Sequence, residues 1–129
     1  SDVIVGFPGE SDSEFLQTID VVEKAKLSNV HIFPYSKRPG TSAFYSKSHV
    51  QDHVIKERSK DLLSLIDKLS GVAKKSLIGK ERSILWEGKS KTAGLTEDYF
   101  KVIRKNTKTP IDEISKEKIK GLEDNKIFV

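Results

Sequence analysis

The stretch DVIVGFPGE, residues 2–10, places an apolar run directly before a glycine-rich turn. Residues 3–5 are consecutive β-branched side chains, which predict a strand buried on both faces in a parallel sheet. In the turn that follows, Gly6 and Gly9 let the backbone come close to a bound group, and Glu10 adds a carboxylate. A strand, a turn and a helix in this order form the cofactor-binding end of many α/β folds, although any parallel strand can be followed by such a turn.

The next segments complete a βαβ unit. Ser11 and Glu14 form a capping box, and apolar residues at helical spacing predict a helix over residues 12–26. The apolar run at residues 30–35 predicts a second strand, which in a βαβ unit lies parallel to the first. A polar loop with a Pro-Gly pair, residues 36–41, then follows at the same end of the sheet.

The remaining sequence separates into a helical part and a β-rich part. Apolar side chains recur at helical spacing from residue 49 to residue 75, which predicts a long amphipathic helix in which Gly71 favours a bend or an early stop. Beyond Gly79, short apolar runs separated by polar turns predict a small antiparallel β-barrel. The fold class is therefore α/β followed by all-β, with predicted domains at 1–75 and 76–129.

The composition of the 129 residues limits the classes of function. The absence of cysteine excludes disulfides, thiolate metal sites and cysteine nucleophiles within this sequence. No apolar run is long enough for a membrane span and no leader segment precedes the first strand, so we expect a cytoplasmic protein. The sequence also lacks methionine and opens just before a core strand, so we expect it to be a piece of a longer protein.

The formal net charge of +4 favours a polyanionic partner. Basic side chains interleaved with aromatic ones on a β-barrel are typical of proteins that bind single-stranded or loop RNA, although such lysines can also serve solubility alone. The candidate RNA-binding residues are Lys89, Lys91, Tyr99, Lys101, Arg104 and Lys105, with Trp86, Phe100 and Lys108 beside them.

The three histidines are candidates for a metal site. His53 follows His49 by one helical turn, but no third ligand lies near them in the sequence, and His31 falls within a predicted strand. We therefore predict a structural role for His31, a polar helix start at His49 and His53, and no metal site.

Three motifs carry a resemblance to a known family. Residues 2–10 (DVIVGFPGE), residues 31–41 (HIFPYSKRPGT) and the segment Lys56-Glu57-Arg58 resemble the radical S-adenosylmethionine (SAM) tRNA methylthiotransferases, in particular the branch that modifies N6-threonylcarbamoyladenosine. The Lys-Glu-Arg segment is one residue shorter than the family's KxER. Residues 94–102 (GLTEDYFKV) are similar to the G-x-T-D-N-Y-x-x-V segment of the TRAM domain, a small RNA-binding β-barrel, with Glu-Asp in place of Asp-Asn.

The resemblance implies a parent enzyme with a cluster-binding domain, a radical-SAM partial barrel and a TRAM domain. This chain would supply the last strands of the partial (β/α) barrel, its closing helix and the TRAM domain. Family members use SAM and two iron–sulfur clusters held by cysteines, which this sequence lacks. We therefore expect the segment alone to be inactive, and the parent enzyme to methylthiolate C2 of N6-threonylcarbamoyladenosine beside the anticodon of tRNA.

The resemblance also assigns roles to residues of the first part. The residues expected to bind SAM are Val5, Gly6, Gly9, Glu10, Phe33 and Tyr35. Of these, Phe33 and Tyr35 either flank the adenine or pack the barrel. Arg38, with Lys37 beside it, is expected to bind a phosphate or the carboxylate of the modified nucleoside, since a guanidinium pairs bidentately with both. No catalytic residue is expected in this segment.

Two alternatives remain open at this point. One keeps the enzyme but replaces the substrate with N6-isopentenyladenosine, whose branch usually carries Tyr-Ser-x-Arg-x-Gly-Thr without the preceding His-x-Phe-Pro. The other is a non-catalytic RNA-binding module. For the enzyme, the expected partner is the anticodon stem-loop of tRNA. We also expect the chain, when studied alone, to self-associate through its exposed sheet edge.

Overall fold

The computed structural model describes residues 1–87, 92–104 and 113–129. The chain divides between Ser70 and Gly71 into two compact units, called unit 1 and unit 2. Unit 1 combines helices with a parallel strand pair, and unit 2 is built mainly from β-strands. In the described ranges, no helix is both long enough and apolar enough to cross a membrane.

Unit 1 contains the βαβ arrangement that the sequence predicts. Its elements are β1 (Asp2–Val5), α1 (Asp12–Lys24), β2 (His31–Pro34), a short 3-10 helix (Ser42–Tyr45) and the first part of α2 (Asp52–Leu77). β1 and β2 are parallel, with Val3 opposite Ile32 and Val5 opposite Pro34. Both strands therefore end at the same edge of the sheet, which brings the turn after β1 next to the loop after β2.

The capping box at the start of α1 is confirmed. The Ser11 hydroxyl accepts a hydrogen bond from the Glu14 backbone N–H at 3.3 Å, and the Glu14 carboxylate accepts one from the Ser11 N–H at 2.8 Å. The helix ends at Lys24 rather than at residue 26, because Lys26 has a left-handed φ of 52°. Side chains thus fix the start of α1, and backbone conformation fixes its end.

β1 is buried on one face only, which corrects the prediction of a strand covered on both faces. Val5 is fully buried in an apolar cluster with Phe15 of α1 and Leu62 of α2. On the opposite face, Ile4 is 57% exposed and Phe33 of β2 is 50% exposed. A β-branched run indicates a strand, but the number of layers around that strand depends on which other elements pack there.

α2 differs from its prediction at both ends. It begins at Asp52 rather than at residue 49, passes through Gly71 without interruption, and continues to Leu77 rather than to residue 75. The predicted early stop at Gly71 is therefore wrong. A glycine inside a helix costs only about 1 kcal/mol, and the burial of Leu77 in the core of unit 2 offsets this cost.

Unit 2 contains a six-stranded sheet. Its strands are β3 (Glu81–Glu87), β4 (Ala93–Thr96), β5 (Lys101–Ile103), β6 (Ile114–Lys118), β7 (Gly121–Glu123) and β8 (Lys126–Phe128), in the order β6-β3-β4-β5-β8-β7. All neighbours are antiparallel except β5 and β8, which run parallel. The sheet is therefore mixed, which corrects the prediction of a purely antiparallel barrel. The reason is that the β7–β8 hairpin places β8 beside β5 in the same direction.

A very short connection joins the two edge strands of this sheet. β6 and β7 stand at opposite ends of the strand order, yet only Ile119 and Lys120 separate them in sequence. Six flat strands would span about 24 Å at a spacing of about 4.8 Å. The three Cα–Cα steps from Lys118 to Gly121 cover at most about 11 Å. The sheet must therefore curl, and its buried side forms a core that contains Trp86.

Candidate functional site

A cavity of about 640 Å³ lies against the open face of β1 and β2 in unit 1. Its apolar lining comes from β1, β2 and the turn after β1, and consists of Ile4, Phe7, Phe33 and Pro34, with Ala43. Its polar lining consists of Asp2, Tyr35, Ser36, Arg38 and Thr41. The cavity thus extends to the carboxyl ends of two parallel strands, which is where α/β proteins usually bind their ligands.

Two aromatic rings meet at these strand ends. Phe7, in the turn after β1, packs edge to face on Tyr35, which follows β2, with ring centroids 5.5 Å apart. The Tyr35 N–H donates to the Val5 carbonyl at 2.8 Å and so extends the strand pairing beyond β2. Phe7 is 53% exposed, which leaves part of its ring open to the cavity. Aromatic walls of this kind suit a flat, partly apolar group such as a nucleobase.

The hydroxyl of Tyr35 is buried and has no hydrogen-bond partner among the described residues. Its ring stacks on His49 at 6.2 Å between centroids, and within the same ranges the buried Nδ1 of His49 also lacks a partner. His49 Nε2 lies 3.2 Å from the Phe44 carbonyl, so Nε2 is the nitrogen that donates to this oxygen. A buried polar group without a partner costs about 1–3 kcal/mol, so these two atoms lower the stability of this part of unit 1.

Arg38 brings a positive charge to the cavity. It is exposed, and no hydrogen bond or ion pair engages its guanidinium within the part of the chain that the structure describes. The Thr41 hydroxyl donates to the Arg38 carbonyl at 2.8 Å and so holds the loop. Lys37 is exposed beside it but does not line the cavity. The Arg38 guanidinium is therefore available for a carboxylate or a phosphate.

The turn between β1 and α1 is held by contacts within unit 1. Gly6 has a φ of 78°, and a Cβ atom on it would lie 2.3 Å from Cγ1 of Ile55 in α2. The Gly6 N–H donates to the Glu10 carboxylate, and the Gly9 N–H donates to the Ser48 carbonyl at 2.7 Å. The close approach of α2 therefore requires glycine at position 6, and the protein itself satisfies these polar groups of the turn.

Arg58 of α2 packs against this turn and is only 6% exposed. Its Nη1 donates to Glu10, at 2.9 Å to the carboxylate and 3.1 Å to the main-chain carbonyl, and its Nη2 donates to the Asp12 carboxylate at 2.6 Å. The guanidinium carbon lies 5.4 Å from the centroid of the Phe15 ring. Burial alone would lower the pKa of Arg58, but the hydrogen bonds and charges of Asp12 and Glu10 raise that pKa above its ordinary value. Arg58 therefore keeps its charge in a buried position.

This role of Arg58 was not predicted from the sequence, although Arg58 belongs to one of the motifs that resemble the family. The available signal was its position on α2, one helical turn from each of the buried residues Ile55 and Leu62. A charged side chain on the buried stripe of an amphipathic helix is seldom found without a partner. That partner lies far away in sequence, so its identity could not be read from the helix.

The structure brings together only part of the predicted SAM-binding set. Phe33 and Tyr35 line the cavity. The Val5 side chain is fully buried in the core of unit 1, and the polar groups of Gly6 and Glu10 are engaged within the turn. SAM binding by these residues stays a prediction.

In unit 2, an apolar row crosses the outer face of the sheet. Ile114, Leu85, Leu95 and Lys101 are direct neighbours on β6, β3, β4 and β5. The three apolar side chains line a groove of about 270 Å³ together with Tyr99, which is 70% exposed. Lys101 is exposed as well. Two members of the predicted RNA-binding set therefore lie beside an accessible apolar surface.

Arg104, another member of that set, is engaged inside unit 2. Its guanidinium carbon lies 4.4 Å from the centroid of a Trp86 ring, and it forms an ion pair with Glu117. The Trp86 Nε1–H donates to the Ser115 hydroxyl at 2.8 Å, and that hydroxyl donates to the Glu117 carboxylate. These contacts give Arg104 a structural role in the sheet.

The other basic candidates of unit 2, Lys89, Lys91, Lys105 and Lys108, lie outside the described residues. The aromatic neighbours Trp86 and Phe100 belong to the core. RNA binding by unit 2 therefore stays a prediction, which depends on Tyr99 and Lys101 among the residues that the structure describes.

The described residues contain no group of three or more histidine, aspartate or glutamate side chains placed to hold a metal ion. His31 begins β2, and its Nδ1 lies 3.1 Å from the Asp2 carboxylate. His53 lies in the first turn of α2, whereas His49 precedes this helix. The predicted helix start at His49 is corrected in this respect, because His49 packs on Tyr35 instead.

Curated relatives of the chain are tRNA-modifying enzymes. The chain is 39% identical over 129 residues to the threonylcarbamoyladenosine tRNA methylthiotransferase MtaB of Bacillus subtilis (strain 168), an alignment that covers 92% of the chain and 28% of that protein. It is 42% identical over 104 residues to MtaB of Thermotoga maritima, with 78% and 24% covered. It is 41% identical over 92 residues to a tRNA-2-methylthio-N(6)-dimethylallyladenosine synthase of Acetivibrio thermocellus, with 71% and 19% covered.

No protein-family model matches the chain. The chain spans about a quarter of the length of the MtaB relatives that it matches.

Proposed function

We propose, because this chain is a homologue of the tRNA methylthiotransferases, that it forms part of an enzyme that adds a methylthio group to a hypermodified adenosine of tRNA. The observation that carries this proposal is the cavity in unit 1, which combines aromatic walls with an unengaged guanidinium. A nucleoside with an acidic substituent has the complementary groups. The chain alone, which covers 28% of the Bacillus subtilis relative, is expected to be inactive.

The cavity residues fit the adenosyl part of SAM. Phe33 and Tyr35 would flank the adenine with their rings. When bound beside a reduced iron–sulfur cluster, SAM would supply the radical chemistry that removes the hydrogen from C2 of the substrate adenosine. Cluster-binding thiolates would have to lie outside this chain, which has no cysteine.

For the architecture, we propose that residues 1–75, which contain unit 1, correspond to the last strands of a radical-SAM partial barrel with its closing helix, and that residues 76–129, which contain the sheet of unit 2, correspond to a TRAM-like barrel. The parallel pairing of β1 and β2 supports the first assignment. The curled sheet of unit 2, whose edge strands are joined by two residues, supports the second.

For the substrate, we propose N6-threonylcarbamoyladenosine, because its side chain ends in a carboxylate and Arg38 offers an unengaged guanidinium at the cavity. Lys37, exposed next to Arg38, would add positive charge. The apolar lining from Ile4 and Phe33 favours the dimethylallyl substituent as a second candidate. Relatives of both kinds match the chain at similar identity, 39–42%.

For the partner, we propose that unit 2 binds the anticodon stem-loop of tRNA. Tyr99 would stack on an unpaired base, and Lys101 would contact a phosphate. The lysines at positions 89, 91 and 105 would add to the positive field, and the net charge of +4 is in keeping with a polyanionic partner.

A segment exchange tests the proposed function. The chain replaces the matching segment of Bacillus subtilis MtaB, the hybrid is expressed in a strain that lacks this gene, and tRNA nucleosides are quantified by mass spectrometry. We expect methylthiolated N6-threonylcarbamoyladenosine to reappear. A hybrid that accumulates in folded form and restores no methylthiolated nucleoside would refute the proposal.

Variants of the same hybrid test the substrate. Arg38→Ala should lower formation of the product by about tenfold to a hundredfold, because the substrate carboxylate then has no charged donor at this position. Lys37→Ala is the matched control and should have a much smaller effect. Product formed only from dimethylallyladenosine, unaffected by Arg38→Ala, would instead support the second candidate.

A further inference from the structure

Arg58 is the only charged residue that is buried among the described residues. Removing a guanidinium from water costs desolvation free energy, which opposite charges and hydrogen bonds must offset. Glu10 and Asp12 provide this compensation, and the Phe15 ring covers the guanidinium face. Arg58 thus connects α2 to the segment between β1 and α1.

The Glu10 carboxylate connects Arg58 to the backbone of Gly6. A single oxygen, Oε2 of Glu10, accepts hydrogen bonds from both Arg58 Nη1 and the Gly6 N–H. The Glu10 side chain is only 13% exposed, so water has little access to replace either donor. One carboxylate oxygen therefore joins the helix to the first residue of the turn.

The turn held in this way carries Phe7 to the cavity. The Glu10 N–H donates to the Phe7 carbonyl at 2.9 Å, which closes the turn behind the Phe7 ring. That ring then meets Tyr35 edge to face. Arg58 does not line the cavity itself, so an effect of Arg58 on a bound molecule would have to pass through Glu10 and the turn.

We propose that Arg58 is a positioning residue, which through Glu10 holds the turn of residues 6–10 so that Phe7 faces the adenosyl group of SAM, the nucleoside of the cavity. The nucleoside rests on the proposed function, whereas the effect on the turn does not. The competing explanation is that Arg58 only stabilises unit 1 as a whole.

Arg58→Lys separates these explanations. Lysine keeps the positive charge but lacks the planar fork that serves Glu10 and Asp12 together. Arg82→Lys is a matched control, because Arg82 also contacts two acidic residues, Glu97 and Asp98, but in unit 2. Glu10→Gln is the second variant. The glutamine amide oxygen can still accept a hydrogen bond from the Gly6 N–H, but it carries no negative charge to pair with Arg58.

The first experiment uses the complete 129-residue chain and NMR. In Arg58→Lys and in Glu10→Gln, hydrogen exchange of the Gly6 amide should accelerate about tenfold or more, while amides of the unit 1 core change less than about twofold. Nuclear Overhauser contacts between the Phe7 and Tyr35 rings should weaken, and Arg82→Lys should change neither. A uniform acceleration across unit 1, or an unchanged Gly6 amide, would overturn the proposal.

The second experiment uses the hybrid enzyme and varies SAM. Arg58→Lys should raise KM for SAM by about tenfold with a smaller change in kcat, because a displaced Phe7 ring weakens binding of the nucleoside more than it changes the chemical step. A decrease in kcat and protein level with unchanged KM would show a merely structural role. An inactive unmodified hybrid would count against the proposed function alone, since the NMR result stands without catalysis.

Discussion

In unit 2 a six-stranded sheet curls around its own core, whereas in unit 1 a strand pair buries one face and leaves the other open. Ile84, Val102 and Ile127 of unit 2 are fully buried, while Ile4 and Phe33 of unit 1 are half exposed. The groove of unit 2 lies on the outer side of its sheet, and the cavity of unit 1 lies against the uncovered face of β1 and β2. Burial on one side of a strand is enough to hold it, so the other side remains available for a ligand.

Both units engage an arginine in an internal network. In unit 2, Arg104 connects Trp86 to Glu117 within one sheet. In unit 1, Arg58 connects a helix to a turn beside the cavity. We therefore expect substitutions in the core of unit 2 to act on stability, and substitutions around the turn of unit 1 to act on local geometry as well.

The largest effect is expected for Trp86→Ala. Trp86 is 1% exposed, donates to Ser115 and packs under Arg104, so its removal should lower the free energy of unfolding by about 3–5 kcal/mol. Urea denaturation measures this loss. Unfolding is followed by circular dichroism, because the variant lacks the only tryptophan and with it the usual fluorescence signal. Phe33→Ala on the open face is the control, with an expected loss below about 1 kcal/mol. Equal losses of stability in Trp86→Ala and Phe33→Ala would contradict the difference between the buried core of unit 2 and the exposed strand face of unit 1.

The next effect concerns Gly6→Ala compared with Gly40→Ala. Both glycines have a positive φ, 78° and 84°, but a Cβ at Gly6 would overlap Ile55, whereas one at Gly40 meets nothing within 4 Å. We expect a loss of about 1–2 kcal/mol at position 40 from backbone strain alone, and about 1–3 kcal/mol more at position 6 from overpacking. Thermal unfolding of the two variants measures the difference. The same loss at both positions would show that α2 does not constrain the turn.

A smaller effect is expected for Lys101→Ala on RNA binding. If Lys101 contacts a phosphate, its removal should reduce the slope of log K against log salt concentration by about 0.7–0.9 for an anticodon stem-loop. Titrations at several salt concentrations measure this slope. Lys24→Ala is the control, because Lys24 pairs with Asp20 in unit 1 at 2.8 Å. An unchanged slope for Lys101→Ala would exclude a phosphate contact at this position.

The smallest effect is a pH dependence at the start of α1. The Ser11 N–H and hydroxyl both donate to the Glu14 carboxylate and lower the pKa of Glu14 from its ordinary value of 4.5. The folded state therefore gains stability above pH 4.5 and loses it as the pH falls through the lowered pKa. Glu14→Gln should reduce Tm slightly at pH 7 and have less effect at strongly acidic pH. A difference that grows on acidification would contradict this assignment.

Local signals predicted the start of unit 1 well. The capping box at Ser11 and the apolar spacing of α1 act within a few residues, so they determine the helix wherever it packs. The parallel pairing of β1 and β2 also followed, since a helix between two strands leaves little choice of direction. What could not be read from residues 3–5 was the open face, because a β-branched run does not reveal how many layers surround it.

Non-local features escaped prediction. β4 contains Gly94, which disfavours a strand in isolation, yet a Cβ at that position would lie 2.9 Å from the Leu85 carbonyl, so the close approach of β3 requires glycine there. The Glu10 partner of Arg58 lies 48 residues away in sequence. Likewise, the contacts of Arg104 with Glu117 and Trp86 could not be read from the sequence, because only the fold brings these residues together.

The parallel pairing of β5 with β8 has a consequence for folding kinetics. The β3–β4 and β7–β8 hairpins each join strands that are close in sequence, whereas Val102 meets Ile127 only after a long loop has closed. β6 likewise meets β3 only after a long loop has closed. Because the entropy of closing a long loop is lost before its contacts form, we expect the hairpins to appear early and the docking of β8 on β5 and of β6 on β3 to limit the rate. Unit 2 would then assemble from two preformed hairpins, β3–β4 and β7–β8. Substitutions where β8 pairs with β5 would slow folding more than substitutions within either hairpin.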